Sequence, residues 1–554
     1  MAIPKKETLV KPVRKLGRAL SDGYYGASYI PDQADPLGLA VTEAVRHGPL
    51  FLALRDLWTC VTMFALFPGV ITPFWTSNPQ DEFYLGWGPN LIGLFLLSFA
   101  SVFEVVLLLV CVPMFMFLPG PVSVFLFFCG QVVIHLICLP MQGPSKIWSK
   151  PPTDPDIIAQ HERLAGERWF FLNGCCVSGH NVQQNVDVLS ETFGRPIFAI
   201  HNRTYGVLGD LFECILQRAF DLFTEETRVC YEYIKSYCAD PEVKKVVMIA
   251  HSQGCIMAAQ ILDQLYVDLP ADAIGKLEVY TFGNAASHFN NPLRKISSSS
   301  ATIDGRDVPS TTNGNTAIIS TQTHKDSEIT SLNPSFHSTK PPKISEMLPE
   351  RVIAHIEHYC NSQDMVTRWG ALYSAKSILQ NRFCGHIFIN EGASGHMLNQ
   401  HYLSDMFPQH RKLAGWGHRR GTSSDSKHNG MPFLDRTIHL DTATVTQRWS
   451  EAKHQLAVLR YDSRTEYDDY SHQAREVRVG DVHFIQSQAE HAEMMLRLGE
   501  GTRLTSADLS GAEGSRISIV KRHEGEDVGL DKGKTVRQLS RLWRYLDGGV
   551  PDGL

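Results

Sequence analysis

Two long apolar blocks dominate the pattern of hydrophobic and polar positions. They cover residues 91–118 and 122–141, are separated at Pro119-Gly120-Pro121, and contain one acid, Glu104, and one histidine, His135. A helix rises about 1.5 Å per residue, so each block is long enough to cross a bilayer core of about 30 Å. The pattern therefore predicts two membrane spans or a membrane hairpin.

A third apolar run, at residues 57–75, is less regular. Pro68-Gly69 and Pro73 interrupt it, and Arg55-Asp56 lie at its edge. Proline inside a helix removes a backbone donor and clashes with the preceding turn. We therefore predict a third span or a re-entrant segment here, within a transmembrane region at 51–141 that holds two or three spans.

From residue 168 onward, runs of β-branched and aromatic residues alternate with helical stretches. This alternation is typical of an α/β fold, in which a mostly parallel sheet is flanked by helices. The predicted domain covers residues 168–407, after a basic, polar tail at 1–50 and a linker at 142–167. We predict helices at 208–237 and 255–266 and strands at 169–173, 196–201, 243–250, 276–282, 351–358 and 386–390.

Two further segments differ in composition from this domain. Residues 291–350 are rich in Ser and Thr with little apolar periodicity, which predicts a disordered insertion, with a mobile lid as the functional alternative. Residues 408–554 form a polar C-terminal extension that includes a predicted amphipathic helix at 535–546. That helix could lie on a membrane surface, and docking onto its own domain is the favoured interpretation.

Composition excludes several classes of protein. The chain has 554 residues, 43% of them hydrophobic, and a formal net charge of -6, with no basic domain that would bind nucleic acid. Its twelve cysteines include no CxxC pair, and no zinc-ligand spacing occurs. This usage favours reduced or buried thiols over a disulfide scaffold. We expect no metal, no cofactor and no nucleic-acid partner.

The most informative motif is Ala250-His251-Ser252-Gln253-Gly254, which follows a β-branched strand and precedes a helix-forming run. A serine on such a strand–turn–helix, between small residues, indicates a nucleophile elbow. The small residues are needed because the strained turn leaves no room for larger side chains. The alternative is a serine in an ordinary strand-to-helix turn.

A serine nucleophile needs a base, and an acid to orient that base. Asp364 follows the predicted strand ending at His358, where sheets of this type assemble their sites. Glu357 and Glu391 are weaker candidates, since Glu357 lies within the strand and Glu391 comes late in the chain.

The predicted base is His396, in a Gly-Ala-Ser-Gly-His loop just past the last strand; His401 is the alternative. The oxyanion of an acyl-transfer reaction requires two backbone donors. We expect one from Gln253, the residue after the nucleophile. The other is expected from the turn after residue 173, with Cys175 as the first choice and Cys176 as the second.

These residues together resemble the α/β-hydrolase superfamily, and in particular its lipases and esterases. The segment 280–285, Tyr-Thr-Phe-Gly-Asn-Ala, resembles class 3 lipases, and 358–366 is similar to the segment that bears their catalytic aspartate. The resemblance implies a nucleophilic Ser252 and a catalytic Asp364. It does not assign His396, whose role is predicted only from its position in the loop after the last strand. The whole chain, including 539–547, also looks like uncharacterised membrane-anchored fungal members.

The expected function is that of a membrane-anchored serine hydrolase. It would cleave a carboxylic ester, most readily that of a lipid, through a Ser-His-Asp triad and an acyl-enzyme. Its partners would be the bilayer and a lipid or acyl-ester substrate, with amides and thioesters still open and protein partners unknown. The alternative is an inactive membrane scaffold that binds a protein partner; a transporter would need more spans.

The chain is expected to be an integral protein of an endomembrane. The N-terminal tail is basic while loop 76–90 has acids and no basic residue, which predicts a cytoplasmic N-terminus. Two spans would then return the α/β domain to the cytosol, whereas three would place it across the membrane. The sequon Asn202-Arg203-Thr204 would point to the lumen, but sequons often arise by chance. The unpaired cysteines favour the cytosol, which is the side expected for the α/β domain while the number of spans stays open.

Overall fold

A nine-stranded sheet organises the computed structural model, which describes residues 26–30, 32, 48–86, 88–152, 164–292, 294, 351–377, 383–408, 431–440 and 534–551. The strand order is β2-β4-β3-β5-β6-β7-β8-β1-β9. The strands are β1 Ala27–Ile30, β2 Lys146–Trp148, β3 Glu167–Leu172, β4 Ile197–Ile200, β5 Lys245–His251, β6 Leu277–Phe282, β7 His355–Asn361, β8 His386–Asn390 and β9 Ile438–Leu440.

The central strands, from β4 to β8 in sheet order, all run parallel, and the edges are mixed. β2 pairs antiparallel to β4, and β1 lies antiparallel to β8 and parallel to β9. Every residue of β5 is buried, as expected for a central parallel strand covered on both faces. The sheet is therefore the mostly parallel, helix-flanked α/β arrangement that the alternation of segments predicted.

Four helices lie in the N-terminal apolar region: α1 Pro49–Met63, α2 Pro68–Ile71, α3 Pro89–Phe117 and α4 Gly120–Cys138. Among the described residues, three helical segments are long and apolar enough to cross a membrane, namely Pro49–Leu66, Pro89–Phe117 and Gly120–Met141. The predicted third run at 57–75 was therefore misplaced. The first apolar segment starts earlier and ends before Pro68, because proline is accommodated at the first turn of a new helix.

The remaining helices flank the sheet. They are α5 Gly179–Phe193, α6 Val207–Phe220, α7 Glu225–Ala239, α8 Gly254–Asp268, α9 Ala271–Ile274, α10 Met365–Trp369, α11 Ala371–Ser377, α12 Ser404–Met406 and α13 Val536–Leu539, with a π-helical turn at Leu398–Leu403. The predicted helix at 208–237 is two helices, α6 and α7. It breaks at Asp221, whose backbone is left-handed at φ 55.

The sheet recruits strands from outside the predicted domain at 168–407. β1 comes from the predicted tail, β2 from the predicted linker and β9 from the C-terminal extension. These three strands have only three or four residues each, too short for a local pattern to identify. Likewise β7 begins at His355 rather than at 351, because pairing with β6 and β8 sets its register.

The C-terminal segment docks into the core rather than forming one amphipathic helix at 535–546. α13 ends at Leu539, and a 3-10 helix follows at Leu542–Gly548. Between them, the buried Glu357 carboxylate accepts hydrogen bonds from the N–H groups of Arg541 and Leu542 at 2.6 and 3.3 Å. The segment is thereby held in an extended turn, which a continuous helix could not supply. The predicted insertion at 291–350 lies almost wholly outside the described residues.

Two buried acids join the apolar helices to the sheet domain. Asp56 of α1 forms an ion pair with Arg218 of α6 at 2.8 Å. Glu104 of α3 accepts hydrogen bonds from the N–H groups of Leu208 and Gly209 at 3.0 and 3.1 Å, at the start of α6. A carboxylate at a helix N-terminus satisfies donors that have no partner within the helix. The acids in these apolar segments are therefore explained by packing against α6.

Candidate active site

The turn between β5 and α8 has the geometry of the predicted elbow. β5 ends at His251, Ser252 adopts φ 58, and α8 begins at Gly254. A left-handed backbone is uncommon for a residue other than glycine and is retained only where the surrounding structure imposes it. A Cβ at Gly254 would lie 2.3 Å from the carbonyl oxygen of Leu172 on β3. Only glycine fits there, because the elbow packs directly on the neighbouring strand.

The turn after β3 lies against the serine. A Cβ at Gly174 would meet Ser252 Cβ at 2.5 Å and Oγ at 3.0 Å. Among the described residues, the N–H groups of Gln253 and Cys175 have no acceptor. The N–H of Cys176, by contrast, donates to Asp210 Oδ2 at 2.7 Å. The N–H of Cys176, the second choice for an oxyanion donor, is therefore already hydrogen-bonded. The N–H groups of Gln253 and Cys175, the two first choices, have no acceptor among the described residues.

Asp364 is fully buried, and both of its carboxylate oxygens are used. Oδ1 accepts from the N–H of Val366 at 2.9 Å, so the aspartate caps α10. Oδ2 bonds to His396 Nδ1 at 2.7 Å and accepts from the Tyr402 hydroxyl at 2.9 Å. These contacts fix the carboxylate toward the histidine. Neither rival acid lies here, since Glu357 binds the C-terminal segment and Glu391 lies partly exposed after β8.

The ring of His396 is oriented from two sides. Its Nδ1 faces the Asp364 carboxylate and therefore carries the proton, which leaves the lone pair on Nε2. Its backbone carbonyl bonds to His251 Nε2 at 2.7 Å, and the two rings lie 4.7 Å apart. His396 Nε2 is buried and has no hydrogen-bond partner among the described residues. An unpaired, buried acceptor next to the elbow is what a general base requires.

Ser252, His396 and Asp364 lie at one site, but only one of the two hydrogen bonds expected between them is formed, the bond between His396 and Asp364. Within the described part of the molecule, no hydrogen bond joins Ser252 Oγ to His396 Nε2. Catalytic hydrogen bonds often tighten only once substrate is bound. Ser252 is 3% exposed and His396 is 5% exposed, so both residues are almost fully shielded from solvent.

Electrostatics favours the protonated form of His396. Burial by itself lowers the pKa of this imidazole, but the charge of Asp364 and its hydrogen bond outweigh burial and raise the pKa above 6.5. The neutral imidazole, which is the form able to accept a proton, therefore predominates only above that raised pKa.

His401, the alternative base, has a structural role. Its Nδ1 accepts from the N–H of Met397 at 2.9 Å, so Nε2 carries the proton and donates to the carbonyl of Pro73 at 3.0 Å. Its ring also packs against Gly395, which has a φ of +94. A Cβ added to Gly395 would lie 2.3 Å from the His401 ring, so a larger residue does not fit at this position. Both nitrogens are therefore occupied in holding the loop that carries His396.

The segment 69–83, between α1 and α3, was not predicted to belong to the site, yet it supports the histidine loop. The carbonyls of Gly69 and Val70 accept from the N–H groups of Gly395 and His396 at 2.6 and 2.8 Å. The sequence signal was weak, since the segment reads as a proline-interrupted apolar run followed by an acidic loop. Further bonds join Ser394 to Thr72, Gln400 to Pro73 and Asn399 to Gln80.

Glu82 completes this support. Its two carboxylate oxygens accept from the N–H groups of Asn399 and Gln400 at 2.8 and 3.0 Å, three and four residues after the catalytic histidine candidate. Burial raises the pKa of Glu82 to about 7, although these two hydrogen bonds oppose the shift. The carboxylate thereby supplies the acceptors that the first N–H groups of the π-helical turn need.

The inner face of α6 meets the elbow from the other side. Gln253 Nε2 donates to Glu213 Oε1 and Gln217 Oε1 at 3.1 and 3.2 Å, and its Oε1 accepts from Asn202 at 2.8 Å. Burial raises the pKa of Asp210 to about 8. These contacts fix the side chain of Gln253, and none of them uses its backbone N–H. The sequon residue Asn202 is thus buried and engaged.

A cavity of about 500 Å³ lies elsewhere, at the end of the sheet formed by β2 and β4, against α7. Its lining includes Lys146, Arg203, Glu225 and Glu226, and none of the triad candidates. Among the described residues, no cluster of three or more His, Cys, Asp or Glu side chains could hold a metal ion.

Comparison with known proteins finds no matching family model, no matching curated protein and no matching solved structure. Any assignment of activity therefore depends on the geometry of this site.

Proposed function

We propose that this protein is a membrane-anchored serine hydrolase that cleaves a carboxylic ester of a lipid. The observation that carries the proposal is the 2.7 Å contact between Asp364 and His396 beside a serine held at φ 58. A carboxylate-bound imidazole with an unpaired Nε2, next to a strained serine and two free backbone donors, is the set of groups that acyl transfer requires.

The reaction follows from these groups. Ser252 Oγ attacks the ester carbonyl carbon while its proton passes to His396 Nε2. Asp364 stabilises the imidazolium, and the N–H groups of Gln253 and Cys175 bind the oxyanion. His396 then gives the proton to the leaving alcohol as the C–O bond breaks. Water attacks the acyl-enzyme with His396 again acting as the base, which releases the acid and restores the serine.

Apolar surface next to the site favours a lipid as the substrate. α6 covers the elbow on its inner face and contacts α1 and α3. Phe212 and Phe220 of α6 are 62% and 48% exposed. Exposed aromatic side chains beside membrane-spanning helices are suited to contact with acyl chains. The same machinery also cleaves amides and thioesters, so the leaving group must be determined by assay.

A fluorophosphonate probe tests the nucleophile directly. We expect the detergent-solubilised full-length protein to be labelled, and Ser252→Ala to lose all labelling. Ser236→Ala, which removes an exposed serine on α7, is the matched control and should label like the wild type. Substrates carrying one acyl chain as an acylglycerol, a thioester or an amide then identify the bond. If well-folded wild type is not labelled, the inactive-scaffold alternative is favoured.

We further propose that the sheet domain and the N-terminus lie on the same, cytosolic side of the membrane. β1 precedes α1 and pairs with β8, while Gly69 follows α1 and binds the histidine loop. Both ends of α1 are therefore attached to one domain. The hairpin α3–α4 also begins and ends there, since Phe83 binds Gln400 and Gln142 binds Thr204. Only α3 and α4 then cross, and the basic tail orients the pair.

Proteinase digestion of sealed microsomes checks this topology. With the cytosolic face outward, we expect the sheet domain to be degraded without detergent, leaving a protected fragment that contains α3 and α4. Protection of the whole domain until detergent is added would contradict the arrangement. Because the assay detects fragments rather than turnover, it does not depend on catalytic activity.

A further inference from the structure

Helix α1 turns a row of large apolar side chains outward. This outer row follows one face of the helix, and each of its members is 46–66% exposed: Leu50, Leu54, Leu57, Trp58 and Val61. The opposite face is packed, because Leu52, Asp56 and Cys60 are buried. The charged Asp56 therefore lies on the buried face while the apolar row faces outward, which is the reverse of a helix on a water-exposed surface.

The threonine hydroxyls of α1 are satisfied within the helix. Thr59 Oγ1 donates to the carbonyl of Arg55 at 2.8 Å, and Oγ1 of the exposed Thr62 donates to the carbonyl of Thr59 at 2.9 Å. A hydroxyl that bonds to its own helix needs no water as a partner. Polar groups in hydrocarbon depend on internal partners of this kind. The threonines beside the outer row are therefore compatible with a lipid environment.

The place where α6 meets α3 sets how far the lipid must reach. Glu104, near the middle of α3, accepts from the N–H groups of Leu208 and Gly209 at the start of α6. From Glu104 to its end at Phe117, α3 measures about 20 Å, less than the bilayer core of about 30 Å. If the hairpin α3–α4 crosses the membrane, as proposed above, hydrocarbon must also border the first half of α3, beside α6.

Exposed apolar surface continues along α6 from α3 to α1. Glu104 of α3 binds the start of α6, and Asp56 of α1 pairs with Arg218 near the end of α6 at 2.8 Å. Phe212 and Phe220 are both exposed and have the spacing of one helical face. The lipid that borders the first half of α3 is therefore expected to border α6 and the outer row of α1 as well.

We infer that α1 lies in the plane of the cytosolic leaflet, with its outer row inserted among the acyl chains. Crossing is disfavoured because β1, which precedes α1, and Gly69, which follows it, both bind the sheet domain. This inference rests on the proposed topology and is independent of hydrolysis. Since the carbonyls of Gly69 and Val70 bind the loop that carries His396, α1 in this position holds that loop next to the lipid surface.

Depth measurements along the outer row test this position. A fluorescent amino acid is incorporated singly at Leu50, Leu57 or Val61 of the full-length protein, which is reconstituted into phosphatidylcholine vesicles. The lipids carry bromine, a quencher, either near the headgroup or near the end of the acyl chain. We expect loss of fluorescence at all three positions, stronger with bromine near the headgroup, and similar depths throughout. Leu50 and Val61 are about 16 Å apart along the helix, so a crossing helix would give depths that differ by about that distance.

Two further positions serve as controls for the quenching. Val102, exposed near the middle of α3, should be quenched, whereas Val267, exposed near the end of α8, should not. α8 starts at the elbow and returns toward the opposite edge of the parallel sheet, away from the histidine loop. Val267 therefore reports an exposed apolar position that is not in contact with lipid.

The possible outcomes separate the inference from the earlier proposals. Absence of quenching along the outer row, with Val102 quenched, would overturn the inference and leave the proposed topology intact. A depth gradient from Leu50 to Val61 would overturn both. Ser252→Ala should give the same depths as the wild type, so a failure of the proposed hydrolase function does not affect the result. If one α1 variant does not fold, the other two positions decide.

Discussion

Exchange of Asp364 for asparagine is expected to lower kcat by about 10⁴-fold in a protein that remains folded. The three donors around the carboxylate are the Val366 N–H, the His396 Nδ1–H and the Tyr402 hydroxyl. An asparagine has only one acceptor oxygen. If that oxygen keeps the Val366 N–H, the amide NH₂ faces His396 and favours the tautomer protonated on Nε2. Such a ring cannot accept the proton of Ser252.

The pH profile distinguishes this role from simple misfolding. Asp364 raises the pKa of His396 above 6.5, and only the neutral ring acts as a base, so wild-type kcat/KM should rise with pH along a limb centred above pH 6.5. Without the Asp364 charge, burial dominates, and the residual activity of Asp364→Asn should have its limb at lower pH. Asp435→Asn, a partly exposed carboxylate outside the site, should change neither kcat nor the limb. A wild-type limb at or below pH 6.5 would contradict the proposed pairing.

Exchange of Glu82 for alanine is expected to lower both stability and activity. The N–H groups of Asn399 and Gln400 would lose their acceptors while remaining buried, at about 1–3 kcal/mol each. The turn they begin follows His396 directly, and a displacement of about 1 Å in a catalytic group can cost about 10²-fold in rate. We therefore expect a lower Tm in detergent micelles and a fall of about 10²-fold in kcat/KM.

Two comparisons sharpen this experiment. Glu82→Gln keeps the shape but can accept only one of the two N–H groups, so its loss should be intermediate. Burial raises the pKa of Glu82 from 4.5 to about 7, so ionisation of Glu82 lowers the stability of the folded protein as the pH rises from 4.5 to about 7. Glu82→Gln has no ionisable group at this position and should lack this pH dependence. Glu232→Ala, which removes an exposed acid on α7, should change neither stability nor activity. Normal activity in Glu82→Ala would show that the segment 69–83 does not position His396.

The elements predicted with least error are those with a strong contiguous pattern. The strand at 386–390 matches β8, and β5 at Lys245–His251 nearly coincides with the strand predicted at 243–250 before the turn at Ser252. A buried run and a small-residue turn are local features, which is why these bounds are close. The assignments that failed depended on distant pairing. β7 was displaced because the apolar Val352 and Ile353 precede the residues that pair with β6 and β8. The helix predicted at 208–237 was too long, because the chain breaks it with a left-handed backbone conformation at Asp221.

The candidate site shows the same division. The order Ser, Asp, His along the chain was enough to propose Ser252 and Asp364, because each follows a strand at the carboxyl edge of one sheet. The choice between His396 and His401 was not decidable from spacing. The contacts in the structure favour His396 as the candidate base, since His401 uses both nitrogens in the loop while His396 keeps an unpaired Nε2.

The sequence by itself determined that this protein has apolar helices able to cross a membrane, an α/β sheet and a serine on a tight turn. Each depends on neighbouring residues, whose spacing reports helix, strand or turn directly. Only the tertiary structure decided that the segment between α1 and α3 supports the histidine loop, that α6 packs against the turn carrying Ser252, and that β1 and β9 complete the sheet. Such contacts join residues as far apart as Pro73 and Gln400, separated by 327 positions, and no local pattern records a pairing across that distance.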